Sequence, residues 1–210
     1  MSETLTALAT AAPLVAGWAT HALTLRRGLT RARRDPLTGL WTRDAFTRKA
    51  RRLLRDERAV VVLADVDRFK QVNDRYGHAA GDAVLASVAR RLAHATGRAG
   101  VCGRLGGDEF AAVLIDADGT APDLLALLHG VLARPAEGQP AEVATTVSLG
   151  WVRAADHPGG DLSALLARAD AAMYEAKRAH RPVKAPFASR LLGLVTARRS
   201  GRRDVVREVA

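Results

Sequence analysis

Four carboxylates in this chain stand where a bare carboxylate is costly. Asp108 and Glu109 follow the glycine pair of Arg104-Leu105-Gly106-Gly107-Asp108-Glu109-Phe110, between two apolar stretches, Val101-Cys102 and Phe110 to Ile115. Two apolar runs joined through Gly-Gly predict a β-hairpin, since glycine supplies the positive φ of a tight turn. Asp65 and Asp67 end the β-branched run Val60 to Val66, whose length and composition predict a buried central strand. Alternate residues of a strand share a face, so Asp65 and Asp67 point the same way. A charge at the end of a buried strand needs a partner or a cation. If the hairpin turn and the strand end are neighbours, their carboxylates form a cluster able to hold one or two hard divalent cations. Lys70, Lys177 and Arg181 would add positive charge suited to phosphates. These residues alone point to metal-dependent phosphoryl or nucleotidyl chemistry.

Positioning these groups takes an α/β domain. Residues 44–57 show helical spacing of Phe46, Ala50, Leu53 and Leu54, with Asp44 in place for an N-cap. The stretch 69–82 reads as a loop or short turn. Helices are predicted over 82–96, 121–134 and 161–179, and a strand over 143–153. The order helix, strand, helix, hairpin, helix, strand, helix predicts a mixed sheet with an antiparallel part and helices packed on it.

The 210 residues carry a formal charge of +10, and its placement matters more than its size. Residues 26–34 hold five arginines and no acid, and residues 181–210 hold eight bases against Asp204 and Glu208, which leaves 35–180 neutral overall. A neutral core without interleaved aromatics argues against a nucleic-acid binder, so no nucleic-acid partner is expected. The lone Cys102 excludes an internal disulfide and, within an apolar run, predicts a buried thiol. Leu5 to Leu25 contains no Asp, Glu, Lys or Arg. As a helix it would be about 32 Å long, the thickness of a bilayer core. Its Ala, Thr, Pro13 and Gly17 content leaves a membrane span and a soluble dimerisation helix both open. Arg26-Arg27 would hold the rest of the chain on the cytoplasmic side.

Five blocks stand in one order: DPLTGLWTRDAF at 35–46, DVDRFKQVNDRYGHAAGD at 65–82, RLGGDEF at 104–110, TVSLGW at 146–151 and ADAAMYEAKRAHR at 169–181. Together they resemble the GGDEF family, the diguanylate cyclases. The resemblance covers residues 35–185, flanked by an N-terminal helix with a basic linker over 1–34 and a basic tail over 186–210. It implies a palm-like, ferredoxin-related fold with a mixed antiparallel sheet flanked by helices, as in nucleotidyl cyclases. It implies condensation of two GTP into cyclic di-GMP and two pyrophosphates by a homodimer, with Mg²⁺ or Mn²⁺, two ions per active site. A catalytically weak GTP-binding signalling module is the alternative.

By motif position, Asp65, the Val66 carbonyl and Asp108 resemble the metal ligands, and Asp108 and Glu109 the catalytic acids. Asn73 and Asp82 resemble the guanine readers, although a loop turn and a helix cap would use the same residue types. Lys70, Lys177 and Arg181 resemble the triphosphate contacts, and Gly106 and Gly107 the place where backbone approaches phosphate. Asp67 is left a structural role, paired with a base. The chain departs from the pattern at Thr42, Arg68 and Pro182. It departs also at Gly97-Arg98-Ala99-Gly100, where many members carry the Arg-x-x-Asp site for inhibitory product. The resemblance places the catalytic domain in the cytoplasm, with 5–34 as the candidate contact with the inner face of the membrane.

Overall fold

The computed structural model describes residues 33–179 and 181–185, together with Trp18 and His21. The expected apolar helix over 5–25, apart from those two residues, and the tail over 186–210 lie outside the described residues. Among the described residues, no helix is long and apolar enough to cross a membrane.

The chain runs β1 (Trp41–Thr42), α1 (Arg43–Leu53), β2 (Ala59–Val66), α2 (Phe69–Tyr76), α3 (His78–Thr96), β3 (Val101–Gly106), β4 (Glu109–Ile115), α4 (Ala121–Leu132), β5 (Val147–Arg153), α5 (Leu162–Ala179) and β6 (Val183–Lys184). The strands form one sheet in the order β1-β3-β4-β2-β5-β6, antiparallel from β3 to β5 and parallel at each edge pair. This is the expected mixed sheet flanked by helices.

The apolar run of β2 is continuous because β2 is central and covered on both sides. Val60, Val62, Ala64 and Val66 pack with α3 and α4 through Val84, Leu85, Val88, Leu92, Leu125 and Leu128. Ala59, Val61 and Leu63 pack with α1 and α5 through Phe46, Ala50, Leu165, Ala169 and Met173. Fully burying one such side chain is worth about 1.5–3 kcal/mol, so these two layers dominate the stability. Helix α5 lies very close to β5, where Gly150 faces the backbone of Ala169 and Met173 and leaves no room for a side chain. Asp116, buried at the end of β4, accepts the Ala121 N–H at 3.0 Å and pairs with Arg153 at 2.8 Å, anchoring the start of α4.

Three expectations are corrected. The stretch 69–82 is neither a loop nor a short turn. It holds α2 and the first turn of α3, joined at Gly77, whose φ of 82° gives the sharp change of direction and whose N–H caps the Asn73 carbonyl at 2.8 Å. Val72 is buried and Phe69 and Tyr76 pack partly on the core, an apolar period of only three residues in a helix of eight, too short to stand out from a loop. Asp44 is not the N-cap of α1; Thr42 is, and Asp44 lies in the first turn, where a carboxylate favours the helix dipole. The strand expected from 143 begins at Val147, because Ala141–Val143 is a 3₁₀ turn.

Candidate active site

The register of three strands assembles the site. Asp65, near the end of β2, lies directly opposite Glu109 of β4 on one side and Ser148 of β5 on the other. Directly opposed residues point to the same face, here the one covered by α1 and α5. The hairpin turn reaches the end of β2, where the Val66 N–H donates to the Asp108 carbonyl at 3.2 Å. A bulge between Arg104 and Gly106 and the left-handed Gly107, φ 46°, shape this turn.

Two arginines hold the turn. The Arg104 guanidinium donates twice to the Gly107 carbonyl, at 2.9 and 2.6 Å, and pairs with Asp35 at 3.2 Å. Burial works against the Asp35 charge, but Thr38 and Arg104 outweigh it and hold that carboxyl below the ordinary range. Arg43, the first residue of α1, donates to the Leu105 carbonyl at 2.8 Å and stands 3.7 Å from the Glu109 carboxylate. Arg104 with Asp35 and Arg43 with Leu105 each join segments about sixty residues or more apart, so sequence reading missed them. Their only advance signal is that Asp35 and Arg43 lie in the first of the five blocks and Arg104 and Leu105 in the third.

Lys177, in the last turn of α5, donates to Asp65 at 2.8 Å. Burial pushes the Asp65 carboxyl up; Lys177 opposes this, and the charges of Asp108 and Asp67 add to it. Burial works against the Lys177 charge, yet the bond to Asp65 and the charges of Asp65, Asp67 and Asp108 raise its pKa overall. Three carboxylates therefore act on one ammonium, and the site keeps an excess of negative charge. Asp67 is structural but does not pair with a base. It accepts from the Thr146 hydroxyl at 2.5 Å and the Ser148 hydroxyl at 2.7 Å, which hold it just past β2 on the Asp65 face.

The guanine-reader candidates sit on the helical hairpin. Asn73 is within α2, and its side chain fills the space beside Gly81, which has no room for a Cβ. Asp82 lies inside α3, exposed and five residues beyond its Gly77 cap, so it is not a helix cap. Lys70 is exposed in the first turn of α2. Arg181 does not join the Lys177–Asp65 pair; it lines a separate groove with Pro122, Ala126 and Trp151. A cleft of about 680 Å³ opens beside the carboxylates, lined among others by Asp67, Arg68, Arg75, Thr146 and Lys177. Arg68 adopts a left-handed backbone, φ 54°, that turns the chain from β2 into α2.

Among the described residues, no group of three or more His, Cys, Asp or Glu forms a ready cage for a metal ion. The hard oxygens of Asp65 and Asp108 and the unbalanced negative charge nevertheless suit Mg²⁺, which is commonly held by one or two carboxylates with substrate phosphates and water completing its shell.

The family model for the diguanylate cyclase GGDEF domain matches residues 32–182. The chain belongs to the GGDEF family. This GGDEF domain is 47% identical over 181 residues to an uncharacterized 19.3 kDa protein of Streptomyces ambofaciens, covering 84% of this chain and 97% of that one. It is 38% identical over 159 residues to the diguanylate cyclase TpbB of Pseudomonas aeruginosa, covering 70% of this chain but only 35% of TpbB. Among solved structures, it resembles the coiled coil and GGDEF domain of DgcB from Caulobacter crescentus in complex with c-di-GMP, with a TM-score of 0.69, 27% identity, and coverage of 81% of this chain and 97% of that one.

Proposed function

We propose that this GGDEF domain condenses two GTP molecules into cyclic di-GMP with release of two pyrophosphates. The observation that carries the reading is the strand register that sets Asp65 and Glu109 opposite each other, with Asp108 in the adjoining turn. TpbB, named a diguanylate cyclase, and DgcB, solved with c-di-GMP, support it.

In this reading Asp65, Asp108 and the Val66 carbonyl hold Mg²⁺ or Mn²⁺, up to two ions per site. A bound divalent ion would supply charge to neutralise the triphosphate and would lower the pKa of the attacking 3′-hydroxyl. Glu109 stands at the same strand end to draw the hydroxyl proton, and Arg43 orients it. Gly106 and Gly107 let the backbone approach the α-phosphate, while Lys70 and Lys177 neutralise the β- and γ-phosphates; Arg181, in its separate groove, is given no part in this. Lys177 would pass from Asp65 to phosphate as substrate and ion arrive. The Asn73 amide and Asp82 carboxylate read the donor and acceptor edge of guanine. Each protomer of a homodimer presents one GTP to the other, since one site holds only half of the product.

Gly97 and Gly100 replace both charged anchors of the Arg-x-x-Asp pattern. A Cβ at Gly100 would fall 2.6 Å from the Val113 carbonyl oxygen, so that position has no room for the Asp. Product is therefore not expected to restrain the enzyme there. The catalytic domain, residues 35–185, is assigned to the cytoplasm, with residues 5–34 touching the inner face of the membrane.

Asp108→Asn and Glu109→Gln, at turn positions that are not buried, test the assignment. Turnover of GTP should fall about 100- to 1000-fold, the scale of losing a group that acts on the reacting atoms, while the far-ultraviolet circular dichroism stays that of wild type. Cyclic di-GMP formation by either variant at the wild-type rate refutes the roles given to these acids.

A further inference from the structure

Helix α1 carries a basic face that the catalytic reading does not use. A groove of about 160 Å³ along it is lined by Arg33, Trp41, Ala45, Arg48, Lys49 and Arg52, four cations and no acid. Arg33, Arg48, Lys49 and Arg52 are all exposed. Arg34 lies over the Trp41 ring at 3.4 Å, and Lys49 lies over it at 4.3 Å. The ring holds these cations in place on the surface, since a cation over an aromatic ring is attracted to its π face. Residues 35–180 are neutral overall, so this concentration is a local asymmetry rather than a share of a general excess.

The chain joins the described domain at this same face. Arg33 and Arg34 end the basic run that begins at Arg26, and that run comes after 21 residues, Leu5 to Leu25, without Asp, Glu, Lys or Arg. An apolar stretch followed by clustered bases matches the chemistry of an anionic bilayer surface. A nucleic acid fits less well. Single-strand binding uses an aromatic face on which bases stack, and the Trp41 ring is already occupied by Arg34 and Lys49.

We infer that the folded domain itself docks on anionic lipid through the α1 face, with Arg33, Arg48, Lys49 and Arg52 against phosphate-bearing headgroups. This rests on the membrane contact proposed above for residues 5–34 and extends it into the catalytic domain. It requires the sheet to stand with α1 toward the bilayer.

The test is partitioning of the full-length chain onto vesicles of phosphatidylcholine alone and of phosphatidylcholine with about 30% phosphatidylglycerol at about 0.1 M salt, where charge attraction to the surface still acts. Wild type should prefer the anionic vesicles. Each basic residue near such a surface contributes about fivefold, so Arg48→Gln/Lys49→Gln/Arg52→Gln should weaken that preference about 100-fold and leave binding to neutral vesicles unchanged. Arg90→Gln/Arg98→Gln, on α3 and the turn after it, should change it less than about threefold. GTP turnover of the triple variant in solution should match wild type, which shows that it folds. An anionic preference untouched by the triple substitution, or equally reduced by the control pair, overturns the inference and leaves the contact through 5–34 standing. No binding to either vesicle removes both, and salt-sensitive retention of DNA without vesicle binding reassigns the face to nucleic acid.

Discussion

Replacing Lys177 by Met tests the electrostatics of the site without touching a carboxylate. The Lys177–Asp65 pair is 2.8 Å long, with side-chain exposures of 40% and 16%. Exposed pairs are worth about 0.2–1 kcal/mol, while removing one partner of a buried pair costs about 3–5 kcal/mol. Asp65 is largely shielded but Lys177 is not, so the loss is discounted to about 1–2 kcal/mol at pH 7. That is about a 5- to 30-fold change in the folding constant. The sign with pH comes from Asp65. Burial already raises its carboxyl above 3.8, so its stabilising share is full below that value and is lost as pH rises through the folded pKa. Removing Lys177 pushes the carboxyl further up and enlarges the penalty at neutral pH, with no penalty once Asp65 is protonated. Urea unfolding of both proteins at pH 7 and near pH 3.5 should show a gap that closes on acidification. Equal stability at pH 7, or a loss that persists unchanged at low pH, refutes the reasoning.

Buried groups give three further outcomes. Gly150→Val should destabilise by at least about 3 kcal/mol, read as a lowered urea midpoint at unchanged m, because its side chain meets the backbone of α5 at Ala169 and Met173; a midpoint within error of wild type contradicts the close approach. Burial raises the Cys102 thiol to about 11, so it should resist thiol reagents at pH 8 in the native state and react fully in urea. His157 is 5% exposed, with no hydrogen-bond partner for either ring nitrogen among the described residues. Burial lowers its pKa, joined by the Arg168 and Lys184 charges and opposed by Asp156. Stability should therefore fall as pH drops from 6.5 through the lowered folded value, and His157→Leu should flatten that part of the profile.

The legible part of the sequence was local. The β2 run, the Gly-Gly turn and the apolar period of α5 are each written in one short window, and each forms where expected. Helix α2 escaped because its core face is only Phe69, Val72 and Tyr76 within eight residues, too short a period to read as a helix. Strands β1 and β6 escaped because two residues cannot show alternation. The carboxylates were visible by type, but their partners lie far along the chain: Ser148 for Asp67, Lys177 for Asp65, Arg43 for Glu109. Those pairings depend on register, which no local pattern states. The expectation that Asp67 pairs with a base failed for that reason, since the neighbours that β5 and the segment before it deliver are hydroxyls. Arg181 shows the converse: it was grouped with Lys177 by charge and motif position, but it lies beyond the end of α5 at Ala179 and lines a different groove.

The central claim is chemical, and the products of the reaction test it most directly. Full-length protein with GTP and Mg²⁺ should yield cyclic di-GMP by mass spectrometry, with one pyrophosphate released per GTP consumed and a rate per protomer that rises with protein concentration. GDP and inorganic phosphate as the products, or GTP left intact at protein concentrations that give dimer, would contradict it.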